Sequence, residues 1–262
     1  MSKRKSIVFL ILCMLFIVFA LGSAESETKR DSVKIDSDGN QESSDSGNGS
    51  GSEDKTSIKY EITDTGFEYY TNSIGSIEYY GFVELTNTGS CDIYLDDCTF
   101  DLEDNSGHLL QSDSFISSCP SVISPGEKGY FYNSAGSSNI DSGVSFDNGI
   151  KLVPQMKLKK ATGKPAKYPV SDISVREGDF GYIKITGRVE NTSGKDINYL
   201  YVTIIFQDKN GKVIGFDGTS ITDIGAGMKG SFDTTTYFAN DNLKLENIAN
   251  TIVIAEETYY QW

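Results

Sequence analysis

Asn191-Thr-Ser-Gly-Lys-Asp-Ile-Asn-Tyr-Leu-Tyr-Val-Thr-Ile-Ile-Phe-Gln-Asp-Lys-Asn-Gly211 is the stretch from which the fold is read. It opens on a turn, because asparagine hydrogen-bonds nearby backbone and both asparagine and glycine accept left-handed angles. Tyr199–Gln207 then alternates: Leu200, Val202, Ile204 and Phe206 share one face, Tyr199 and Tyr201 the other. Asp208-Lys-Asn-Gly211 turns a hairpin into Val213-Ile-Gly-Phe216, since Asn-Gly takes two positive φ angles. Upstream, Tyr182–Glu190 alternates as well, with Ile183, Ile185, Gly187 and Val189 set against Tyr182, Lys184, Arg188 and Glu190. Ser231–Phe238 and Ile252–Tyr260 read as further strands, and Leu243–Ile248 as a short helix or irregular chain.

The same text stands about a hundred residues earlier. At an offset of 104, Asn87 falls on Asn191, Asp92 on Asp196, Ile93 on Ile197, Phe100 on Ile204, Asp104 on Asp208 and Gly107 on Gly211. At an offset of 101, Ile-Ser-Pro-Gly-Glu-Lys-Gly-Tyr-Phe (Ile123–Phe131) lies over Ile-Gly-Ala-Gly-Met-Lys-Gly-Ser-Phe (Ile224–Phe232). The first copy therefore follows the plan of the second. Tyr79, Gly81, Val83 and Leu85 point inward on one strand, and Asp96, Cys98, Phe100 and Leu102 on the next. Asp104-Asn-Ser-Gly107 makes the hairpin, and Gly149–Lys159 is the last strand. Short strands separated by Gly-rich turns predict an all-β protein of two tandem immunoglobulin-like β-sandwich domains. The boundaries expected are 58–160 and 171–262, with a linker at 161–170 marked by Pro165 and Pro169.

The N-terminus reads as an export signal over residues 1–24. Lys3, Arg4 and Lys5 precede an unbroken apolar run, Ile7–Leu21, and Gly22-Ser-Ala24 suits cleavage. The run is short of the ~20 residues a spanning helix needs. An uncleaved anchor is the alternative, and it would still leave everything after Ala24 outside. Residues 25–57 lack aromatics and are rich in Ser, Gly, Asp and Glu, so they are expected to be a disordered leader or tether. Removing residues 1–24 takes three of the 23 basic residues and none of the 37 acidic ones, leaving a net charge of −17. That charge opposes bulk attraction to nucleic acid or anionic membrane.

The second copy resembles an FxLYD-type domain. The residues that carry the resemblance are Gly187–Ile197, Val202–Ile214 and Ala226-Gly-Met-Lys-Gly-Ser-Phe232. About 60 residues are covered, and the first copy joins only through the repeat. The resemblance implies an immunoglobulin-like fold in a secreted or surface protein of Gram-positive-type bacteria. It implies no defined ligand and no catalytic residue.

Chemistry-bearing residues are sparse. Outside the cell a disulfide is allowed, and three cysteines follow residue 24. Extending the hairpin register sets Cys91 opposite Cys119, ahead of Cys98–Cys119 and Cys91–Cys98, with three free thiols also open. The single histidine, His108, follows the hairpin glycine, which leaves a catalytic triad or zinc site without its parts. Asp101, Glu103 and Asn105 begin a calcium-loop spacing, but Ser112 stands where the loop needs Glu. Lys157, Lys159, Lys160, Lys164 and Lys167 form a basic segment, read as solvated strand and linker or as a contact for anionic wall polymer. Tyr199 and Tyr201 are the candidate binding aromatics, because exposed tyrosine offers large contact area at low entropic cost.

The expectation is a non-enzyme without catalytic, cofactor or metal residues. It is an extracellular binding module whose partner is an envelope protein or a cell-wall polymer. The alternative is a structural spacer or accessory subunit of an envelope complex. Membrane contact is expected only through an uncleaved N-terminal segment.

Overall fold

The computed structural model describes residues 29–30, 57–71, 75–114, 116–133, 139–179, 182–236 and 243–258. The export signal and all of the leader except Lys29–Arg30 and Ser57 lie outside the described residues, as do Tyr259, Tyr260 and Trp262. Among the described residues sixteen strands follow one another. They are β1 (Lys29–Arg30), β2 (Tyr60–Thr71), β3 (Ile77–Asn87), β4 (Ile93–Glu103), β5 (Leu109–Asp113), β6 (Ile116–Cys119), β7 (Lys128–Asn133), β8 (Asn139–Ile140) and β9 (Lys151–Lys160). Then come β10 (Lys167–Tyr168), β11 (Val170–Glu177), β12 (Ile183–Glu190), β13 (Ile197–Gln207), β14 (Val213–Ile224), β15 (Lys229–Thr236) and β16 (Asn250–Glu256). Among the described residues there is no α-helix, and the segment near Leu243 holds one 3-10 turn, Leu245–Asn247.

The chain is all-β and its pairings are antiparallel. Before residue 161 it builds two sheets, β1-β2-β3-β7-β6 with β8 beside β3, and β5-β4-β9. After residue 166 it builds two more, β11-β12-β15 and β10-β16-β13-β14. Each pair of sheets closes over its own apolar cluster. Tyr79, Val83, Leu85, Phe100, Leu102 and Phe131 belong to the first. Ile185, Val189, Leu200, Val202, Ile204, Phe206 and Phe232 belong to the second. Alternation along each strand puts these side chains on the inner face, and burying them is the main stabilising term.

The repeat extends to individual hydrogen bonds. Asn87 is fully buried, and its Nδ2 donates to the carbonyls of Cys91 (2.9 Å) and Ile123 (2.8 Å). Asn191 does the same to Lys195 (2.7 Å) and Ile224 (2.8 Å), the residues that the two offsets predict. Each Oδ1 caps the amide two residues on, Gly89 and Ser193 respectively. Asp104 Oδ1 accepts from the amides of Ser106 and His108, and Asp208 Oδ1 from those of Asn210 and Lys212. A buried asparagine that ties three chain segments together specifies register as well as adding stability, because its partners would otherwise be orphaned carbonyls.

The halves differ where the second edge strand runs. β14 stays paired with β13 over its whole length. In the first half the chain leaves β4 after Asp113 and reappears as β6, paired with β7 on the other sheet. A bulge between Leu95 and Asp97 also shifts the phase of β4. Asp96, expected inward, therefore reaches the Nζ of Lys157 (3.1 Å) and Lys159 (2.8 Å), while Ile93 takes the inward place.

Candidate functional site

β13 carries different chemistry on its two faces. The inner face is Leu200, Val202, Ile204 and Phe206, all fully buried. The outer face is Tyr199, Tyr201, Thr203 and Ile205, and it is only half open. Thr203 and Ile205 are buried, whereas Tyr201 is 36% and Tyr199 47% exposed. What covers the lower half is the first half of the chain.

The cover is aromatic. Outward-pointing Tyr80 and Phe82 of β3, Tyr130 and Tyr132 of β7 and Cys119 of β6 meet Ile205, Val213 and Phe216 in a third buried cluster, with Ile252 and Ile254 against it. Phe216 is the centre: its ring stacks on Tyr132 at 4.2 Å and 5°. Tyr130 (5.7 Å), Phe82 (5.7 Å) and Tyr80 (6.2 Å) surround it at tilted or edge-on angles. These are favourable ring geometries, worth about 1 kcal/mol each beyond burial.

The borders of this joint are polar. At one side Glu84, nearly buried, accepts from Lys128 Nζ (2.6 Å) and Thr63 Oγ1 (2.7 Å). At the other, Glu256 Oε1 accepts the Ser121 amide across the joint at 2.8 Å, and burial raises its carboxyl above the usual range. The segment expected as a linker is docked at its C-terminal end. Lys167–Tyr168 pairs with β16, and Lys164 and Lys167 both reach Glu127 (3.9 and 3.4 Å). Four of the five lysines of the basic segment are thus matched by carboxylates of the same chain.

Tyr201 sits where this joint meets solvent. Its hydroxyl lies over Gly218, where a Cβ would come within 2.3 Å of it. Burial pushes its phenol up, and the neighbouring Tyr132 hydroxyl pulls the other way. Across the strand pair, Tyr201 faces Ser220 and Tyr199 faces Thr222, both exposed. The open part of the face is therefore two tyrosine rings beside two hydroxyls, carried on paired strands.

The cysteine pairing read from the hairpin is not the one observed. Cys91, Cys98 and Cys119 are all free and buried. Cys91 and Cys98 belong to the first core, and Cys119 to the joint. The reason is the switch after β5, which ends the register that had set Cys119 opposite Cys91; within the hairpin, Asp113 already pairs with Phe100 rather than Cys98. Burial pushes the thiols of Cys98 and Cys119 up to about 12, so both are held as SH and are poor nucleophiles.

His108 lies in the exposed turn, its Nδ1 3.1 Å from Asp104. The amides and imidazole that donate to Asp104 hold its carboxyl below the ordinary range, which is the signature of a turn cap. Asp101 takes Ser112 Oγ (2.5 Å) and Glu103 takes Lys151 (3.3 Å). Among the described residues no three or more His, Cys, Asp or Glu side chains converge as a metal site. An open depression of about 650 Å³ on the outer face of β11-β12-β15 is lined by Asp172, Arg188 and Asp233 among others. It is crossed by ion pairs of the chain itself, Arg188–Asp172 and Lys184–Asp233.

The joint was not anticipated from sequence. Its signal was present in Tyr79–Val83 and Ile204–Phe206, where apolar residues occupy both faces of a strand, the pattern of a sheet covered on both sides. In comparisons with known proteins, no protein-family model and no curated protein matches the chain.

Proposed function

We propose that this chain is a non-catalytic binding module, exported and displayed at or outside the surface of a Gram-positive-type bacterium. It meets a cell-wall polymer or an envelope protein through the face of Tyr199 and Tyr201. One observation carries the reading: β13 and β14 are covered by the joint up to Thr203 and then emerge with two tyrosines and two hydroxyl side chains facing solvent. Tyrosine presented on a rigid strand loses little entropy on binding, which suits recognition of sugars or protein surfaces. The reading is supported by the occupations of four polar residues: His108 and Asp104 serve a turn, and burial holds the thiols of Cys98 and Cys119 neutral. The likeness to FxLYD-type domains supports the same compartment.

The test is co-sedimentation of residues 57–262 with Gram-positive sacculi and, separately, with solubilised membrane. Retention on sacculi that is lost in Tyr199→Ala/Tyr201→Ala supports a wall-polymer ligand. Retention on membrane alone supports an envelope protein partner. Retention on neither fraction, or turnover of wall polysaccharide, peptide or ester by the purified chain, defeats the proposal. A second reading, a structural spacer or accessory subunit, draws on the aromatic joint, since two halves packed together around Phe216 transmit position. It predicts partner assembly that depends on the joint and is indifferent to Tyr199 and Tyr201.

A further inference from the structure

The two halves meet through different faces. The first half gives the outer face of β3 and β7: Tyr80, Phe82, Tyr130 and Tyr132, all buried. The second gives the outer face of β13, β14 and β16: Ile205, Val213, Phe216, Ile252 and Ile254. Because the halves repeat, each also owns the face that the other one uses, and strand register identifies it residue by residue. Thr186 pairs with Asp233 as Phe82 pairs with Tyr132, and Arg188 with Ser231 as Glu84 with Tyr130. Lys184, Thr186, Ser231 and Asp233 therefore stand where the first half has its four aromatics. Asp101 pairs with Ser112 as Ile205 pairs with Phe216, and Glu103 with Leu109 as Gln207 with Val213, with a bulge at the same place in both. Val153 and Gln155 of β9 likewise take the places of Ile252 and Ile254 of β16.

An interface that joins one face to a different face does not close on itself. Between repeated units it can continue at either end unless the end faces are altered. Both are altered here. On the second half, short side chains replace the aromatics and leave the open depression beside Arg188. Lys184–Asp233 (3.2 Å) and Arg188–Asp172 (3.8 Å) pair across that face. A further copy docking there would strip water from these charges and offer only apolar surface in return. On the first half, Ser112 Oγ donates to Asp101 at 2.5 Å on the spot that corresponds to Phe216 and Ile205. Leu109 and Val153 keep apolar character there, and an isolated exposed leucine is ordinary protein surface.

From this correspondence we infer that the chain is a repeat array closed at two units. The outer faces of β11-β12-β15 in the second half and β5-β4-β9 in the first are end caps that refuse another copy of this chain. The joint is used once, within the molecule. The inference is independent of the role given to Tyr199 and Tyr201.

The test is sedimentation velocity on the full chain after residue 24. The wild-type chain stays monomeric up to about 100 µM, where even a micromolar contact would be well populated. Two variants then restore one face each. Lys184→Tyr/Thr186→Phe/Ser231→Tyr/Asp233→Tyr rebuilds the aromatic face on the second half. Asp101→Ile/Ser112→Phe/Gln155→Ile rebuilds the receiving face on the first. All seven side chains are exposed or half-buried on outer faces, so both cores are left intact, and circular dichroism checks strand content. Each variant alone remains monomeric, because its counterpart face is still capped. Mixed, they form a complex of twice the monomer mass that grows no further. A chain with all seven substitutions grows past the dimer.

Concentration-dependent association of the wild-type chain overturns the inference, whether or not the variants fold. So does a mixture of folded variants that associates no more than its components. A single variant that associates as strongly as the mixture overturns it too, because general stickiness rather than a matched pair of faces would then be at work.

Discussion

Phe216→Ala is the perturbation that separates the joint from the two cores. Phe216 is 2% exposed and belongs to the inter-half cluster, not to the core of the half that carries it. Truncating a buried Phe costs about 3–5 kcal/mol, through lost transfer free energy and the cavity left behind. About 1 kcal/mol of that is the stacked contact with Tyr132. Since Ile204, Phe206 and Phe232 are untouched, the loss falls on the contact between halves. Separation of the halves then becomes roughly 100- to 4,000-fold more populated. Scanning calorimetry reads the effect as one transition splitting into two, and small-angle scattering as an increased radius of gyration with native strand content. Phe206→Ala, on the opposite face of the same sheet, is the contrast: it lowers the second half's own stability. The reasoning is refuted if Phe216→Ala leaves one transition and an unchanged radius, or if it unfolds the second half as Phe206→Ala does.

Asn191→Ala removes a buried side chain that three backbone carbonyls and one amide use, and is expected to destabilise by about 2–4 kcal/mol in urea titration; Asn191→Asp, which lacks the donors, does no better. Asn87→Ala does the same to the first half. Glu256 has a folded-state pKa raised by burial, so the folded chain holds its proton in a window above about 4.5 where the unfolded chain has lost it. Its unfavourable contribution is present at high pH and disappears as pH falls through that window. Glu256→Gln therefore raises the midpoint at pH 8, and the gain vanishes near pH 4. All three thiols remain unreactive to a disulfide reagent in the native protein and react together on unfolding, and reduction leaves the mass unchanged; a mass gain of a disulfide's two hydrogens would restore a bridge.

What could be read from sequence was what is local or repeated. The alternation of Ile183–Val189, the Asn191 turn and the Asp208–Gly211 hairpin are short-range signals, and a second copy of each let one reading check the other. The equivalence of Asn87 and Asn191 followed from alignment alone, although the carbonyls they bind had to be seen. The placement of Tyr199 and Tyr201 on the outer face followed from parity. That Tyr201 ends at a border with Tyr132 did not, because parity says which way a side chain points and not what arrives to cover it. The sheet switch after Asp113 has no local marker in Ser112-Asp-Ser-Phe115, so a register extended through it misplaced Cys119. The partners of the basic segment were hidden for a related reason: Lys157 and Lys159 look unmatched along the chain, and only the bulge in β4 turns Asp96 toward them.

The central claim is that two like halves are held as one body by the Phe216 joint, which sets the tyrosine face. Residual dipolar couplings from backbone amides of residues 57–258 test it most directly. One alignment tensor fitting β3, β4 and β7 together with β12, β13 and β16 is the result predicted. Two tensors of different magnitude, one for each half, would show the halves reorienting freely and would contradict the account.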